Sequence, residues 1–348
     1  MKKMKILVTG AGSGVGQSII KSLKISKLKV DVIFGDINYF NSGLYRIKNS
    51  LIVPKVEDRG TLNWYIRKLK KLKINILMVG SEYDLVFFSN HAKEIQNKTG
   101  CLVCVSNTEI INIFNDKYLT QVFLKNNNLP FLKTFKSKNI NDAVIASKKL
   151  NFPFILKGRF GTSARNVFLI KNLIDLKKNY NSVKNPILQE YLESKTYDKK
   201  IEYTCSFFKT KSGKILGPII LKRKLVNGTS WITETIKNQK ISSSILKIAK
   251  LVNCNGSFNI QFRIRNKVPV PFEINPRFSG TTSIKAHYGF NEPEMYIQSY
   301  FLNKSINKNI RNIKQGVCFR YVEEIFLDDA KFKILNKKIG KGKIKKWF

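Results

Sequence analysis

The sequence predicts an α/β protein in which an N-terminal doubly wound parallel-sheet domain precedes two α+β lobes. Three observations predict it. Early in the chain, short apolar runs alternate with helix-period segments, the pattern of a parallel sheet covered by helices on both faces. Beyond Pro130 the apolar runs lengthen and the helices between them become sparse, as in antiparallel sheets. At 348 residues the chain is too long for one small core and suits two or three subdomains. The expected division is residues 1–107, 108–188 (a linking helix and first lobe), 189–328 (a second lobe) and 329–348 (a basic tail).

Each element has its own signal. KILVTG reads as a strand, Gln17 to Leu28 as a helix and VDVIFGD as the second strand. LIVP, a helix from Thr61 to Leu72, INILMVG and CLVCVS follow. Asn107 has the side chain to cap a helix reaching about Asn127, and Pro130 prevents its continuation. FLKTF and FPFILKGRF read as strands flanking a helix over Asp142 to Leu150. Then come ILQEYLE, IEYTCSFFKT, KILGPIILKRKL, a helix around Ser242 to Val252, and the pair FNIQFRIR and VPVPFEINP. GVCFRYVEEIFLDD reads as a late strand.

Composition excludes several classes. No apolar run approaches the roughly 18 residues that span a bilayer. The basic start precedes only Ile6 to Val8 before a glycine turn, which reads as a strand rather than a secretory signal. Five thinly spread cysteines argue against a disulfide scaffold and for a reducing, cytoplasmic setting. Cys101 and Cys104 form a CxxC, but three apart on a strand they point to opposite faces, which suits neither zinc nor redox chemistry.

The net charge of +40 invites a nucleic-acid or anionic-membrane partner. However, 52 lysines stand against 11 arginines and are dispersed along the chain, whereas specific phosphate or base readout favours Arg. Abundant Lys, Asn and Ile together are the signature of AT-rich coding. Neither a nucleic acid nor a membrane is therefore the expected partner. From Lys331 to Phe348 lie eight lysines, with Gly340 and Gly342 interrupting any amphipathic helix, which reads as a solvated terminus.

VTGAGSGVGQ follows a strand and opens a helix. Thr9, Gly10, Gly14 and Gly16 fit the TGxxxGxG spacing of short-chain dehydrogenases, with Asp36 where a ribose-binding acid would sit. An NAD(P)-dependent oxidoreductase is thus one alternative function, and a basic nucleic-acid- or membrane-binding protein another. The YxxxK pair that such oxidoreductases need occurs as Tyr180/Lys184 and Tyr191/Lys195, about as often as chance gives in so lysine-rich a chain. Neither follows the right strand.

The stronger signal lies later. On strands, residues two apart share a face, so Glu273, Asn275 and Arg277 project together, as do Asn259, Gln261 and Arg263 across a short Asn266–Lys267 turn. Gln261, Glu273 and Asn275 offer hard oxygen ligands suited to Mg²⁺ carrying phosphates, and Arg277 adds a planar fork for an oxyanion. Upstream, Lys157 ends a strand before a loop holding Gly158, Gly161, Thr162, Ser163 and Arg165, where small residues let backbone N–H groups approach phosphate oxygens. ILQEYLE ends an apolar strand that can offer backbone groups to an adenine edge, and Glu202 can bind ribose hydroxyls.

In this order, over roughly residues 3 to 325, these motifs resemble the ATP-grasp superfamily, particularly its carbamoyl-phosphate-synthase-like members. GDINYFNSGLYRIKNSLIVP resembles the family's pre-ATP-grasp domain, and EINPR is the most specific string. The resemblance implies an ATP-grasp fold and an ATP- and Mg²⁺-dependent ligase (Mn²⁺ being able to substitute) that activates a carboxylate as an acyl phosphate for attack by an amine or similar nucleophile. It implies that Lys117 (after Asp116) and Lys157 hold phosphates, together with the Gly161, Thr162 and Ser163 loop. By the same resemblance Gln189, Glu190, Tyr191 and Leu192 contact adenine and Glu202 the ribose. Gln261, Glu273 and Asn275 match the metal ligands, and Arg277 the arginine on the transferred phosphoryl group. Ser163, Asn166 and Gly158 depart from the family's usual glycine and proline pattern. The implied partners are small-molecule carboxylate and amine substrates, with a homodimer as an open expectation.

Overall fold

The computed structural model describes residues 3–161, 166–192, 201–306, 313–328, 339 and 342–344. The early apolar runs become β1 (Met4–Val8), β2 (Val30–Asp36), β3 (Ser50–Ile52), β4 (Ile76–Met78) and β5 (Leu102–Cys104). They form one parallel sheet in the order β3-β2-β1-β4-β5. Strand alternation sends Ile6, Val8, Phe34 and Met78 to one apolar layer and Leu7, Ile33, Leu77 and Val103 to the other. Helix α1 (Gly14–Lys24) covers the first layer, and α2 (Thr61–Leu72) and α3 (Leu85–Thr99) cover the second. Cys101 and Cys104 enter opposite layers, and burial pushes the Cys101 thiol up to about 12.

Boundaries moved where side chains compete for backbone groups. Ser13 accepts the Gly16 N–H at 2.9 Å, so α1 starts at Gly14 rather than Gln17. It stops at Lys24, and the Ser26 hydroxyl takes the Leu28 N–H at 3.1 Å. Helix α3 carries no local sequence signal, since Asp84 makes no capping bond and only Leu85, Phe88 and Ile95 are buried. Asn107 does cap α4 (Thr108–Asn115), accepting from Ile110 at 2.9 Å. The single helix expected to reach Asn127 instead breaks at Asp116, extended at φ −100 and ψ 110. Its carboxylate caps α5 (Lys117–Asn126) by accepting from the Tyr118 and Leu119 N–H groups.

A second sheet comprises β6 (Thr134–Lys136), β7 (Phe154–Gly158), β8 (Phe168–Ile170) and β9 (Pro186–Glu190), antiparallel in the order β6-β9-β7-β8. Helices α6 (Ile140–Leu150) and α7 (Leu173–Tyr180) bury Ala143, Ala146 and Leu176 against Phe154, Leu156 and Leu188.

The third sheet is built from β10 (Ile201–Lys209), β11 (Ile215–Val226), β12 (Thr229–Ile236), β13 (Gly256–Arg265), β14 (Val268–Asn275) and β15 (Val317–Phe319). Its order is β14-β13-β10-β11-β12-β15, antiparallel throughout. Helix α8 (Gln239–Leu251) packs Ile241, Ile245 and Ile248 on Cys205, Phe207, Phe258 and Ile260. The opposite face carries Glu202, Thr204, Asn259, Gln261 and Glu273 and stays polar. Near its other end, Phe208, Leu216 and Leu221 join the apolar layer under α1. There α9 (Thr282–His287) and α10 (Glu292–Tyr296) wedge between the sheets. β12 is too polar to have stood out in sequence, and the late strand pairs only over Val317–Phe319. In the tail, Ile339 packs on that shared layer, and Lys343 exchanges two 2.9 Å backbone bonds with Phe326.

Candidate active site

The β13–β14 register sets Gln261 opposite Glu273 and Asn259 opposite Asn275. Gln261 Nε2 and Asn275 Nδ2 both donate to Glu273 Oε1, at 2.9 and 2.8 Å. Burial pushes the Glu273 carboxyl up. The Asn275 hydrogen bond and the charges of Lys117, Arg277 and Lys157 outweigh it and hold the group below its ordinary value. Beyond Gln261 a bulge resets the ladder so that Arg263 faces Val270. Arg263 then reaches Glu202 Oε1, with its Nη2 at 2.7 Å. Asn259 is buried and donates to Thr204 Oγ1 at 3.0 Å and the Cys205 carbonyl at 2.9 Å, so it stiffens the sheet rather than facing a ligand.

The second sheet brings its cations to this face. Lys157 is buried at the end of β7 and donates to Gln189 Oε1 at 2.7 Å; Gln189 in turn donates to Thr134 Oγ1 at 2.9 Å. Burial, reinforced by Lys117, lowers the Lys157 pKa to about 8. Lys117 opens α5 because Asp116 caps it, and its Nζ donates to the Gly161 carbonyl at 2.5 Å. Arg159 clamps Asp116, its Nη2 lying 2.5 Å from Oδ2. Thr162 and Ser163 lie outside the described residues. Glu190 pairs with Arg265 at 2.5 Å, Tyr191 is half-buried, and the carbonyl of buried Leu192 accepts from Arg263 Nη1 at 3.1 Å.

Three contributors were missed in sequence. Arg223 was hidden among the lysines of β11, where residue type gave no distinction. Its Nη2 donates to Glu202 Oε2 at 2.9 Å and to Gln261 Oε1 at 2.6 Å. Arg159 had no signal beyond its nearness to Lys157. Glu82, on the loop after β4, pairs with Arg277 across the sheets. Arg277 also donates to the Phe278 carbonyl at 2.9 Å.

The glycine turn after β1 has a packing explanation. A Cβ on Gly16 would lie 2.2 Å from the Gly10 carbonyl oxygen, and one on Gly80 would lie 2.2 Å from that of Thr9. Asp36 already accepts the Gly12 N–H at 2.7 Å and the Asn38 N–H at 3.0 Å. Tyr180 of the first YxxxK pair bonds Ser137 at 2.8 Å inside the first lobe. Lys195 of the other pair lies outside the described residues.

The donor set fits nucleotide phosphates and a hard cation. Nε of Arg223 and Nε of Arg277 are buried without a hydrogen-bond partner, so donor capacity is unused on this face. One carboxylate flanked by two carboxamides is too little to hold Mg²⁺ alone. It suits Mg²⁺ that brings phosphate oxygens with it, and the same amides can present oxygen instead of nitrogen by rotating. Among the described residues no group of three or more His, Cys, Asp or Glu side chains offers a competing metal site.

Residues 183–325 match the family described as ATP-grasp in the biosynthetic pathway with Ter operon. That segment, which carries β9 to β15, is similar to ATP-grasp proteins. The chain as a whole is similar to a formate-dependent phosphoribosylglycinamide formyltransferase of Prochlorococcus marinus, at 23% identity over 317 residues, covering 87% of this chain and 77% of that one. It is also similar to the carbamoyl phosphate synthase large chain of Helicobacter pylori, at 24% over 186 residues, covering 50% of this chain and 17% of that one. Among solved structures, N5-carboxyaminoimidazole synthetase from Staphylococcus aureus complexed with ADP shares the fold with a TM-score of 0.69 at 19% identity, covering 88% of this chain and 79% of that one. An L-amino acid ligase from Bacillus licheniformis gives 0.66 at 13%, covering 90% and 75%. Among the described residues no helix is long and apolar enough to cross a membrane.

Proposed function

We propose that this chain is an ATP- and Mg²⁺-dependent ligase that activates a small-molecule carboxylate as an acyl phosphate, which an amine then attacks to form a carbon–nitrogen bond. The observation that carries the reading is that five cations, Lys117, Lys157, Arg223, Arg263 and Arg277, face three carboxylates, Glu82, Glu202 and Glu273. Such a surplus of cations calls for a polyanion, and phosphoryl transfer needs little from a protein beyond position and charge. The relatives bearing formate-dependent, amino-acid-ligating and carbamoyl-phosphate-forming names support the same chemistry.

In this reading Lys117 and Lys157 hold the phosphates, with Gly161, Thr162 and Ser163 lending backbone N–H groups, and Arg277 steadies the transferred group. Gln189, Glu190, Tyr191 and Leu192 border the adenine. Glu202 accepts ribose hydroxyls on lone pairs left over from Arg223 and Arg263, since a carboxylate has about four. Mg²⁺ (or Mn²⁺), held by Gln261, Glu273 and Asn275, supplies charge neutralisation on the phosphates. The substrates meet beside Arg277. No side-chain nucleophile is required.

The division into 1–107, 108–188, 189–328 and 329–348 is the functional one we adopt. A cytoplasmic setting is supported by five free cysteines. A homodimer is supported by the exposed Val317, Phe319, Tyr321 and Val322 on and after edge strand β15.

Thermal shift tests the nucleotide. ATP with Mg²⁺ raises the melting temperature while NAD(H) and NADP(H) leave it unchanged, because only ligands that bind the folded state stabilise it. A shift with NADPH alone would overturn the ligase reading. ADP release screened across carboxylates and amines then identifies the substrates.

A further inference from the structure

Where α1 packs on α9, three cations gather outside the site just described. Lys21 stands on α1 at an exposed rim, Arg46 follows the turn after β2, and Arg320 follows β15, half-buried. Arg46 Nη1 reaches Glu323 Oε2 only at 3.4 Å, and its Nε is buried without any partner. Arg320 donates to the Gly280 carbonyl, which also accepts from Ser18 Oγ at 2.8 Å. Among the described residues no carboxylate pairs with Arg320. Burial holds Lys21 and Arg320 below their ordinary pKa values, and the charges of Arg46 and Arg320 push Lys21 further down.

Among the described residues, Glu323 pairs with Arg46 and attracts Lys21, and Arg320 has no carboxylate partner. Like charges drawn together at a partly buried surface are unfavourable unless a counter-charge arrives. The place is informative too. Gly280 lies on the loop that carries Arg277 and touches the glycine turn at Gly14, the Cβ position being 4.0 Å from the Gly14 carbonyl carbon. Arg320 is therefore anchored to the loop that leads on from Arg277, beside the turn at the carboxyl end of β1, where open α/β sheets bind ligands.

We propose that Lys21, Arg46 and Arg320 form an oxyanion subsite that holds a carboxylate or phosphate group of the substrate that follows ATP. This rests on the ligase reading and adds a substrate class to it: the acceptor amine carries an anionic group. The unused Nε of Arg46 and the guanidinium edge of Arg320 supply charge-assisted donors, and Lys21 closes the rim as a point charge.

The test uses the full chain saturated with ADP and Mg²⁺, titrated calorimetrically with inorganic phosphate. Arg320→Gln and Lys21→Gln each weaken phosphate binding about tenfold, the loss of one charged hydrogen bond, while ADP affinity and melting temperature hold. Arg320→Lys retains most of the binding. Phosphate held instead at the transfer centre would be indifferent to both variants, and that result overturns the proposal. In ADP-release assays, Arg320→Gln raises KM for amino-acid or phosphorylated-amine acceptors and leaves kcat and the KM for ATP unchanged; the more affected class identifies the oxyanion. A preference for uncharged amines, unaltered in Arg320→Gln, also overturns it. If no acid–amine pair releases ADP while phosphate binding still depends on Arg320, the ligase reading falls and the anion site stands.

Discussion

Arg277, just past β14, forms an ion pair with Glu82 on the loop after β4, joining the third sheet to the first across 195 positions of sequence. Both side chains are largely buried, at 11% and 16% exposure. The arginine that we propose steadies the transferred phosphoryl group is thus paired with a carboxylate. In that proposal a bound phosphoryl group competes with Glu82 for the guanidinium.

Glu82→Gln separates the two roles of that pair. It lowers folding stability by about 3 kcal/mol, since breaking a buried pair strands the remaining charge. With no other substrate present it also tightens ATP binding, because the competing carboxylate is gone. Urea unfolding and calorimetry measure the two effects. An unchanged ATP affinity would mean that Arg277 keeps Glu82 throughout.

Lys157 predicts a pH dependence. Its pKa in the folded chain is about 8, against an ordinary 10.5. Between those values the unfolded chain binds a proton at Lys157 that the folded chain does not, so stability rises with pH across the window. Below about 8 both states are protonated and the full penalty, on the order of 3 kcal/mol, is present. Lys157→Met removes that slope and loses ATP binding. Comparing urea midpoints of the two proteins at several pH values checks it, and parallel curves would refute the assignment. Phosphates favour the charged amine, so ATP binding above pH 8 should also take up a proton.

Glu273→Gln keeps its volume and the two amide contacts' geometry but removes the charge that faces Lys117, Lys157 and Arg277. Turnover falls at least about a hundredfold, with a single cooperative unfolding transition retained. Asn275→Ala is milder. Substantial ATP consumption by Glu273→Gln would make the hairpin structural.

Much of the site was legible because short-range rules suffice there. On a β-hairpin, spacing fixes which side chains share a face, so Gln261, Glu273 and Asn275 could be grouped from sequence alone. Lys157 at a strand end before a glycine loop was equally local. The bulge after Gln261 was not, and it is what turns Arg263 toward Glu202. Nor was the break at Asp116, which depends on Arg159 from another strand holding the cap.

The sequence by itself determined the parallel first sheet, the antiparallel lobes, the opposite faces of Cys101 and Cys104, and the shared face of Gln261, Glu273 and Asn275, because strand alternation and capping act over a few residues. Only the tertiary structure decided that Arg223 joins Glu202 to Gln261, that Glu82 holds Arg277, and that Arg46 meets Glu323 in the neighbourhood of Lys21. Those are contacts between elements far apart in the chain. Their partners are chosen by how layers pack and where burial strips away water, and the local pattern of residues carries neither.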